Sequence, residues 1–162
     1  MKLIVDRMLG RLARWLRLLG YDTISIARQE NEDDLLLTLA LGEGRILVSR
    51  DRMLINKAIK KGISAYNIQS QDIIEQIKEM HKEFDILLEP RMDRCTLCNS
   101  NIRKVEAWEM KGVKEKEYVY PAVLERVSEF WICDKCGQVY WLGKHWENIR
   151  ETVRKLTPEN HK

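Results

Sequence analysis

Strand-like and helix-like segments alternate along the first half of the chain. The segments LIV (residues 3–5), TISI (23–26), RILVS (45–49) and ISAYNI (63–68) are typical of β-strands. Between them apolar residues recur every three or four positions, which predicts helices over about 9–20, 31–42, 52–62 and from residue 70 onward. This alternation predicts an α/β fold, with a parallel sheet covered by helices on both faces.

The second half of the chain has a different composition, because all four cysteines lie in it. We therefore predict two domains: an α/β domain over residues 1–84, a linker over 85–93 and a small β-rich module over 94–146. The segment KEYVYPAVLERVSEFWIC (116–133) is assigned to the β-rich arms of that module. The stretch ENIRETVRKL predicts a final amphipathic helix, so residues 147–162 are assigned to a C-terminal helix and tail.

Overall charge decides little about partners. The chain carries 28 Lys and Arg against 25 Asp and Glu, a net charge of +3, so attraction to nucleic acid would depend on local clusters of basic residues. No stretch approaches the roughly 20 apolar residues of a membrane span, and residues 3–5 are too short for the apolar region of a secretory signal. We expect a cytoplasmic protein with no membrane partner.

Acidic residues stand where two predicted strands end. Asp6 follows the first strand and Asp51 follows the third, while Asp33 and Asp34 lie in the first turn of the helix between strands two and three. Ligands of parallel sheets sit beyond the carboxyl ends of the strands, so these acids are expected to converge there. Carboxylates this close repel one another unless a cation joins them, and their hard oxygens favour Mg²⁺ or Mn²⁺. Such ions catalyse phosphodiester hydrolysis.

A simpler interpretation of the same acids is local. Asp6 and Asp51 occupy positions that suit helix caps, and Asp33 and Asp34 suit the positive end of a helix dipole. Asp34 stands three residues after Asn31, in the position of a capping-box acid, which makes Asp33 the better candidate ligand. Both interpretations remain open from the pattern alone.

Basic residues border the acids. Arg7, Arg11, Arg14 and Arg17 recur at helical spacing along the first helix, and Arg50 adjoins Asp51. A basic ridge beside an acid-held metal suits a polynucleotide, because phosphate neutralisation supplies affinity; an ordinary solvated helix face is the alternative. Neither a GxGxxG loop nor a GxxxxGK[ST] loop is present, which excludes the common nucleotide cradles.

Two CxxC pairs form the most specific motif of the chain. Cys95 and Cys98 are followed, after 34 residues, by Cys133 and Cys136. Four thiolates arranged in this way predict a closed structural zinc site with no open position for catalysis. Asn99 and Gly137, each directly after a pair, suit the left-handed backbone of a metal knuckle.

Aromatic residues crowd the segment after the second pair. Tyr140, Trp141, His145 and Trp146 could stack unpaired bases while Lys144 meets a phosphate. The alternative is that they build the small core of the zinc module, which we favour for Trp141. His145 and Trp146 are kept as candidate substrate contacts.

The segments DRMLGRLARWLRLLGYDT, LALGEGRILVSRD, CTLC and CDKCGQVYW together resemble a PIN-like ribonuclease family. This family occurs as the C-terminal ribonuclease domain of mutator-type exonucleases and as free-standing prokaryotic proteins. The resemblance implies a PIN-like fold with a zinc ribbon and metal-dependent cleavage of single-stranded RNA. It places acidic ligands at Asp6, at Asp33 or Asp34, and at Asp51. A fourth acid is usual, for which Asp72 and Asp22 are the candidates, and His145 and Trp146 also match the family pattern.

Two other functions fit parts of the pattern. A non-catalytic RNA-binding or ribosome-associated adaptor would use the arginines and the ribbon, its acids would be caps, and the ribbon could bind a protein partner. A toxin-type PIN nuclease would need an antitoxin partner. Metal-dependent strand scission distinguishes the enzyme from the adaptor.

Overall fold

The computed structural model describes residues 1–26 and 30–156, so Ala27, Arg28 and Gln29 and the tail from residue 157 lie outside the described residues. Its first sheet has four parallel strands in the order β2-β1-β3-β4. The strands are β1 (Lys2–Val5), β2 (Asp22–Ser25), β3 (Ile46–Ser49) and β4 (Ala65–Asn67). The connecting helices are α1 (Gly10–Leu18), α2 (Glu32–Glu43), α3 (Arg52–Lys60) and α4 (Ile73–Phe84), and a 3-10 turn, Arg7–Leu9, precedes α1.

Alternate side chains of the central strands are buried in two separate hydrophobic cores. Leu3 and Val5 join one apolar cluster with residues of α1 and α4. Ile4 and Leu47 join a second cluster with residues of α2 and α3. Because successive residues of a strand point to opposite faces, helices must cover both faces to bury them. The predicted parallel sheet with helices on both faces is confirmed.

The helix that carries the candidate acids begins and ends differently from the prediction. Asn31 precedes α2 in a left-handed conformation (φ 55°), and its side chain makes no capping hydrogen bond. The capping box expected between Asn31 and Asp34 is therefore absent. The helix continues past Gly42 to Glu43, and Gly44 takes the left-handed conformation (φ 61°) that ends it.

The second sheet is small and antiparallel, in the order β5 (Arg103–Lys104), β6 (Phe130–Ile132) and β7 (Val139–Trp141). Between β5 and β6 the chain forms helices α5 (Met110–Lys114) and α6 (Pro121–Arg126), after a 3-10 turn, Ala107–Glu109. The prediction of β-rich arms across 116–133 is wrong for α6, because Pro121 lies in its first turn, where the fixed φ of proline favours a helix start. The second sheet itself confirms the small β-rich module.

The last helix ties the two halves of the chain together. Helix α7 spans Lys144–Leu156, three residues earlier than the predicted start at 147. Val153 and Leu156 are buried in the same cluster as Leu12 and Leu16 of α1. Among the described residues, no helix is long and apolar enough to cross a membrane.

The side chain of Arg17 joins the two halves of the chain. It is buried, and its guanidinium donates to the carbonyls of Thr96 (3.0 Å) and Leu97 (2.8 Å), between the first two cysteines. Its remaining donors reach Thr23 O (2.7 Å) and Ser25 Oγ (2.9 Å) on β2. The loop between Cys95 and Cys98 is thereby bonded to the first sheet through a side chain of α1.

Candidate active site and cysteine cluster

Asp6 lies at the carboxyl end of β1, against the end of β3. Its backbone N donates to Val48 O at 3.3 Å. The side chain is only 6% exposed, Oδ1 accepts from Leu9 N (3.2 Å), and Oδ2 accepts from the hydroxyl of Ser49. Burial raises the pKa of the Asp6 carboxyl, and the charge of Glu32 also raises it, while the hydrogen bonds from Ser49 and the backbone oppose the shift. A buried anion in this position gains stability from a nearby cation.

Asp51 lies on the same edge, two residues beyond Ser49. The hydroxyl of Ser49 accepts from Asp51 N (2.9 Å), so a single side chain contacts both Asp6 and the start of α3. Oδ1 of Asp51 accepts from Met53 N (2.7 Å) and Leu54 N (3.3 Å), which caps α3. Oδ2 accepts no hydrogen bond from the described residues and stays open to another ligand. The cap and the ligand interpretations are therefore compatible for this residue.

The acids of α2 do not approach the edge equally. Glu32 is close enough to Asp6 to raise its pKa, and it pairs with Arg7 Nε at 3.6 Å. Asp33 instead pairs with Lys57 of α3 at 3.7 Å, and Asp34 is exposed. The sequence pattern favours Asp33 as the candidate metal ligand of this turn and does not indicate Glu32. In the sequence, Glu32 differs from Asp33 and Asp34 only in its position within the acidic first turn of α2. Its proximity to Asp6 depends on how α2 packs in the folded protein.

The two candidates for a fourth acid lie at different edges. Asp72 follows β4 and caps α4 through Ile74 N (2.9 Å) and Glu75 N (3.2 Å), and it is exposed. Asp22 opens β2 beside Lys2, at the amino edge of the sheet, and pairs with Arg45 at 2.7 Å. Asp22 is thus remote from the carboxyl edge, whereas Asp72 lies beyond the neighbouring strand β4.

The four arginines of the first helix have unequal exposure. Arg7, Arg11 and Arg14 are exposed, while Arg17 is buried by the contacts described above. Arg50, between Ser49 and Asp51, is partly exposed. The solvent-facing basic ridge therefore consists of Arg7, Arg11 and Arg14 and starts beside the acidic edge.

The cysteines form a compact group. The Sγ atoms of Cys95 and Cys136 are 3.5 Å apart and those of Cys98 and Cys133 are 3.4 Å apart. All four lie within 4.8 Å of one another and could hold a metal such as zinc. A tetrahedron with Zn–S bonds of about 2.3 Å has edges of roughly 3.8 Å, close to these separations. Over residues 1–26 and 30–156, no other group of three or more Cys, His, Asp or Glu side chains is as close together.

The local backbone and electrostatics support that arrangement. Asn99 (φ 69°) and Gly137 (φ 72°) adopt the predicted left-handed conformation after each CxxC pair. Burial raises the pKa of the Cys136 thiol to about 12. At Cys98 burial also acts to raise the pKa, but hydrogen bonds with Ser100, Cys133 and Cys95 together lower it to about 6. Four adjacent thiolates cannot all form here without a cation between them.

The aromatic residues after the second pair have separate contacts. The hydroxyl of Tyr140 lies 3.1 Å from Cys95 Sγ, and Trp141 packs on the small core with its ring 6.2 Å from that of Phe130. The core role predicted for Trp141 is confirmed. His145 is exposed at an edge-to-face distance of 5.8 Å from Trp141, and Trp146 is buried.

The fold and site together define a class: an α/β protein with an acid-lined carboxyl edge of a parallel sheet and a four-cysteine cluster. The family model described as "Mut7-C RNAse domain" matches residues 1–153. The chain belongs to this family of ribonuclease domains. A search of curated proteins found no match, and a search of solved structures also found none.

Proposed function

We propose that this protein is a Mg²⁺- or Mn²⁺-dependent ribonuclease of PIN-like fold that hydrolyses single-stranded RNA at the carboxyl edge of its first sheet. The buried carboxyl of Asp6, joined through Ser49 to the start of α3 at Asp51, is the observation that carries the proposal. Membership of a ribonuclease family supports RNA as the substrate. The cytoplasm remains the proposed location.

The donors at this edge fit a hard divalent cation. Asp51 has one carboxylate oxygen free of hydrogen bonds from the described residues, and Asp6 is an anion raised in energy by burial. Glu32 is close by, and Asp33 belongs to the same helix turn. These oxygens suit Mg²⁺ or Mn²⁺, which when bound would polarise the phosphate and lower the pKa of a water ligand.

The chain's own residues have distinct tasks in this mechanism. Asp6, Asp51 and either Glu32 or Asp33 would hold the cation, and the Ser49 hydroxyl orients Asp6 through Oδ2. Arg7, Arg11 and Arg14 would neutralise backbone phosphates and align the strand along α1. In-line attack of water breaks the P–O3′ bond and leaves a 5′-phosphate and a 3′-hydroxyl. Arg17 contributes by holding the fold, because its donors are already bonded.

The zinc site is proposed to be structural. Four cysteine ligands complete a tetrahedron and leave no position for a substrate. Through the carbonyls of Thr96 and Leu97, which accept from Arg17, the metal would fix the knuckle loop against α1 and β2. We propose that residues 1–84 form the catalytic unit and 94–146 the ribbon that docks on it.

Cleavage of an end-labelled single-stranded RNA by the zinc-loaded protein tests the proposal. With added Mn²⁺ or Mg²⁺, we expect wild type to cut, and Asp6→Asn and Asp51→Asn to lose about 10³-fold in rate, because each asparagine retains an oxygen for the backbone N–H groups of its helical turn but lacks the charge. Glu32→Gln and Asp33→Asn, made separately, identify the third ligand.

The matched control is Asp85→Asn, an exposed aspartate in a left-handed conformation (φ 51°) that asparagine also tolerates. It should cut like wild type. If wild type binds RNA with a steep salt dependence yet cleaves nothing with either metal, the acids serve as caps and the adaptor function replaces the nuclease.

A further inference from the structure

A cavity of about 220 Å³ lies where α1, the segment before the first CxxC pair, and α7 meet. We name it the seam cavity, and its defining residues are Arg14, Trp15, Arg91, Arg94, His145 and Trp146. It is smaller than the roughly 300–1,000 Å³ typical of sites for whole cofactors or drugs. Its volume suits a fragment such as a single nucleobase.

The chemistry of the seam cavity matches a nucleotide. Two tryptophans and His145 offer aromatic faces to a base, and three arginines offer charge to a phosphate. Proteins that bind single-stranded RNA combine these two features, stacking unpaired bases on aromatic rings beside a basic path. Arg14 and Arg91 are exposed, so their charges are accessible to a ligand from solvent.

The walls of the seam cavity are fixed by hydrogen bonds that do not depend on a ligand. Arg91 N donates to Leu18 O at the end of α1 (2.8 Å), and Arg94 donates to Asn99 O (2.7 Å). The contacts of Arg17 hold the loop that contains Thr96, another lining residue. The cavity is therefore built jointly by the two halves of the chain and is largely formed in advance.

One wall residue has a polar atom that the fold does not use. Trp146 is 5% exposed, and its Nε1 has no hydrogen-bond partner among the described residues. A buried donor without an acceptor is energetically unfavourable, so such groups call for an explanation. A base with a carbonyl oxygen supplies an acceptor after a small adjustment of the wall.

The seam cavity lies at the far end of the basic ridge from Asp6. Its α1 residues, Arg14, Trp15 and Leu18, are 8 to 12 positions beyond Asp6, which corresponds to roughly 12–18 Å along a helix. A stacked strand advances about 3.4 Å per nucleotide, so this distance spans roughly four or five nucleotides. Arg11 is exposed between the two ends.

We propose that the seam cavity binds one unpaired nucleotide of the RNA, about four or five nucleotides from the scissile phosphate. This inference rests on the proposed function, because it deepens the account of the same substrate. The base stacks against the aromatic wall, and its phosphate is neutralised by Arg14 and Arg91. The protein thus contacts RNA at two separated points joined by the basic ridge.

Binding of a fluorescent 12-nucleotide oligouridylate tests the proposal without requiring cleavage. The measurement uses zinc-loaded Asp6→Asn protein with no added Mg²⁺ or Mn²⁺, and it compares this protein with the same protein carrying Arg91→Gln and His145→Ala. Loss of one stacked base and one phosphate contact should weaken affinity roughly 10- to 100-fold. The control, Arg150→Gln, changes an exposed arginine of α7 outside the cavity and should change affinity less than threefold.

A trinucleotide substrate separates this proposal from the proposed function. It is too short to reach from Asp6 to the cavity, so the Arg91→Gln/His145→Ala variant, with Asp6 intact, should cleave it like wild type while its KM for the 12-mer rises. If wild type cleaves neither RNA, the nuclease proposal fails, yet the affinity comparison still decides the cavity proposal. Equal 12-mer affinity in the cavity variant and the Arg150→Gln control overturns the cavity proposal.

Photo-crosslinking of 5-bromouridine in the 12-mer provides an independent readout. We expect adducts in the peptides that contain Trp15, His145 or Trp146. Trp108 is 80% exposed on the second half of the chain and is the most accessible indole available for non-specific stacking. Adducts confined to Trp108 would show that RNA bypasses the seam cavity and would overturn the proposal.

Discussion

The acidic sheet edge and the cysteine cluster are both sets of candidate metal ligands, but they are assembled in different ways. The cysteines approach within 4.8 Å because two short knuckles bring them together. Asp6, Glu32 and Asp51 come from three segments that only the parallel sheet brings together, and Asp6 and Asp51 also accept backbone hydrogen bonds of a helical turn. A closed site of soft ligands is thus specified by residue type and spacing, whereas an open site of hard ligands is specified by topology.

The largest expected effect comes from breaking the closed site. Cys133→Ser should abolish tight zinc binding and unfold the second sheet, because structural zinc contributes about 10–16 kcal/mol of apparent binding free energy to such folds. Zinc content by mass spectrometry and thermal unfolding are the measurements. Lys135→Ala, an exposed neighbour, should retain both. A Cys133→Ser protein with an unchanged melting profile would contradict a structural role.

A smaller loss is expected at the link between the two regions. Arg17→Met should lower the free energy of unfolding by about 3–5 kcal/mol, because it leaves the carbonyls of Thr96 and Leu97 without their donor. Urea denaturation measures the change. Arg11→Gln, on the exposed face of the same helix, should change stability by less than about 0.5 kcal/mol. Equal stabilities of the two variants would show that the link is dispensable.

The open site should respond to pH and to cations. Because burial raises the pKa of Asp6 above its ordinary value of 3.8, a protonated Asp6 stabilises the fold. Without divalent cations, its contribution is fully present below that value and is lost as pH rises through the folded-state pKa. Asp6→Asn should therefore become increasingly stable relative to wild type as pH rises from 3.8 through the folded-state pKa of Asp6.

Added Mn²⁺ should reverse that difference. At 100 times its Kd a ligand adds about 2.7 kcal/mol to stability, so Mn²⁺ should raise the Tm of wild type but not that of Asp6→Asn. Differential scanning calorimetry at two pH values checks both expectations. Equal Mn²⁺ stabilisation of the two proteins would place the cation elsewhere.

The smallest effect concerns the basic ridge that begins at the acidic edge. Arg11→Gln should lower the slope of log affinity for single-stranded RNA against log salt by about 0.7, the value for one phosphate contact. Fluorescence anisotropy at several salt concentrations measures the slope. An unchanged slope would identify Arg11 as an ordinary solvated residue.

Sequence patterns predicted the features that depend on local geometry. The alternation of strand-like and helix-like segments predicts a parallel sheet covered on both faces, and the positions of Asn99 and Gly137 directly after the CxxC pairs predict their left-handed backbone. The pattern does not predict helix α6, because the β-branched valines in and around it favour strands. Pro121 nevertheless suits the first turn of a helix.

Features that depend on tertiary placement were harder to predict. Glu32 and Asp33 are neighbours in one helix turn, and the relative position of α2 and β1 decides which of them is close to Asp6. Arg11, Arg14 and Arg17 are separated by steps of three residues, and each step falls about 60° short of a full turn. The deviation accumulates, so Arg17 lies further around the helix from Arg11 than Arg14 does. Arg17 therefore turns toward the buried side of α1, whereas Arg14 remains exposed.

The hydrogen bonds of Arg17 also set an order of events during synthesis. The carbonyls that it contacts belong to residues 79 and 80 positions later in the chain. At about 5–20 residues per second, translation supplies them some 4–16 s after Arg17 itself. Until then the emerging α1 carries a charged side chain that must stay hydrated. The Arg17 side chain therefore gains all of its hydrogen bonds only after the ribosome has made the first pair of cysteines.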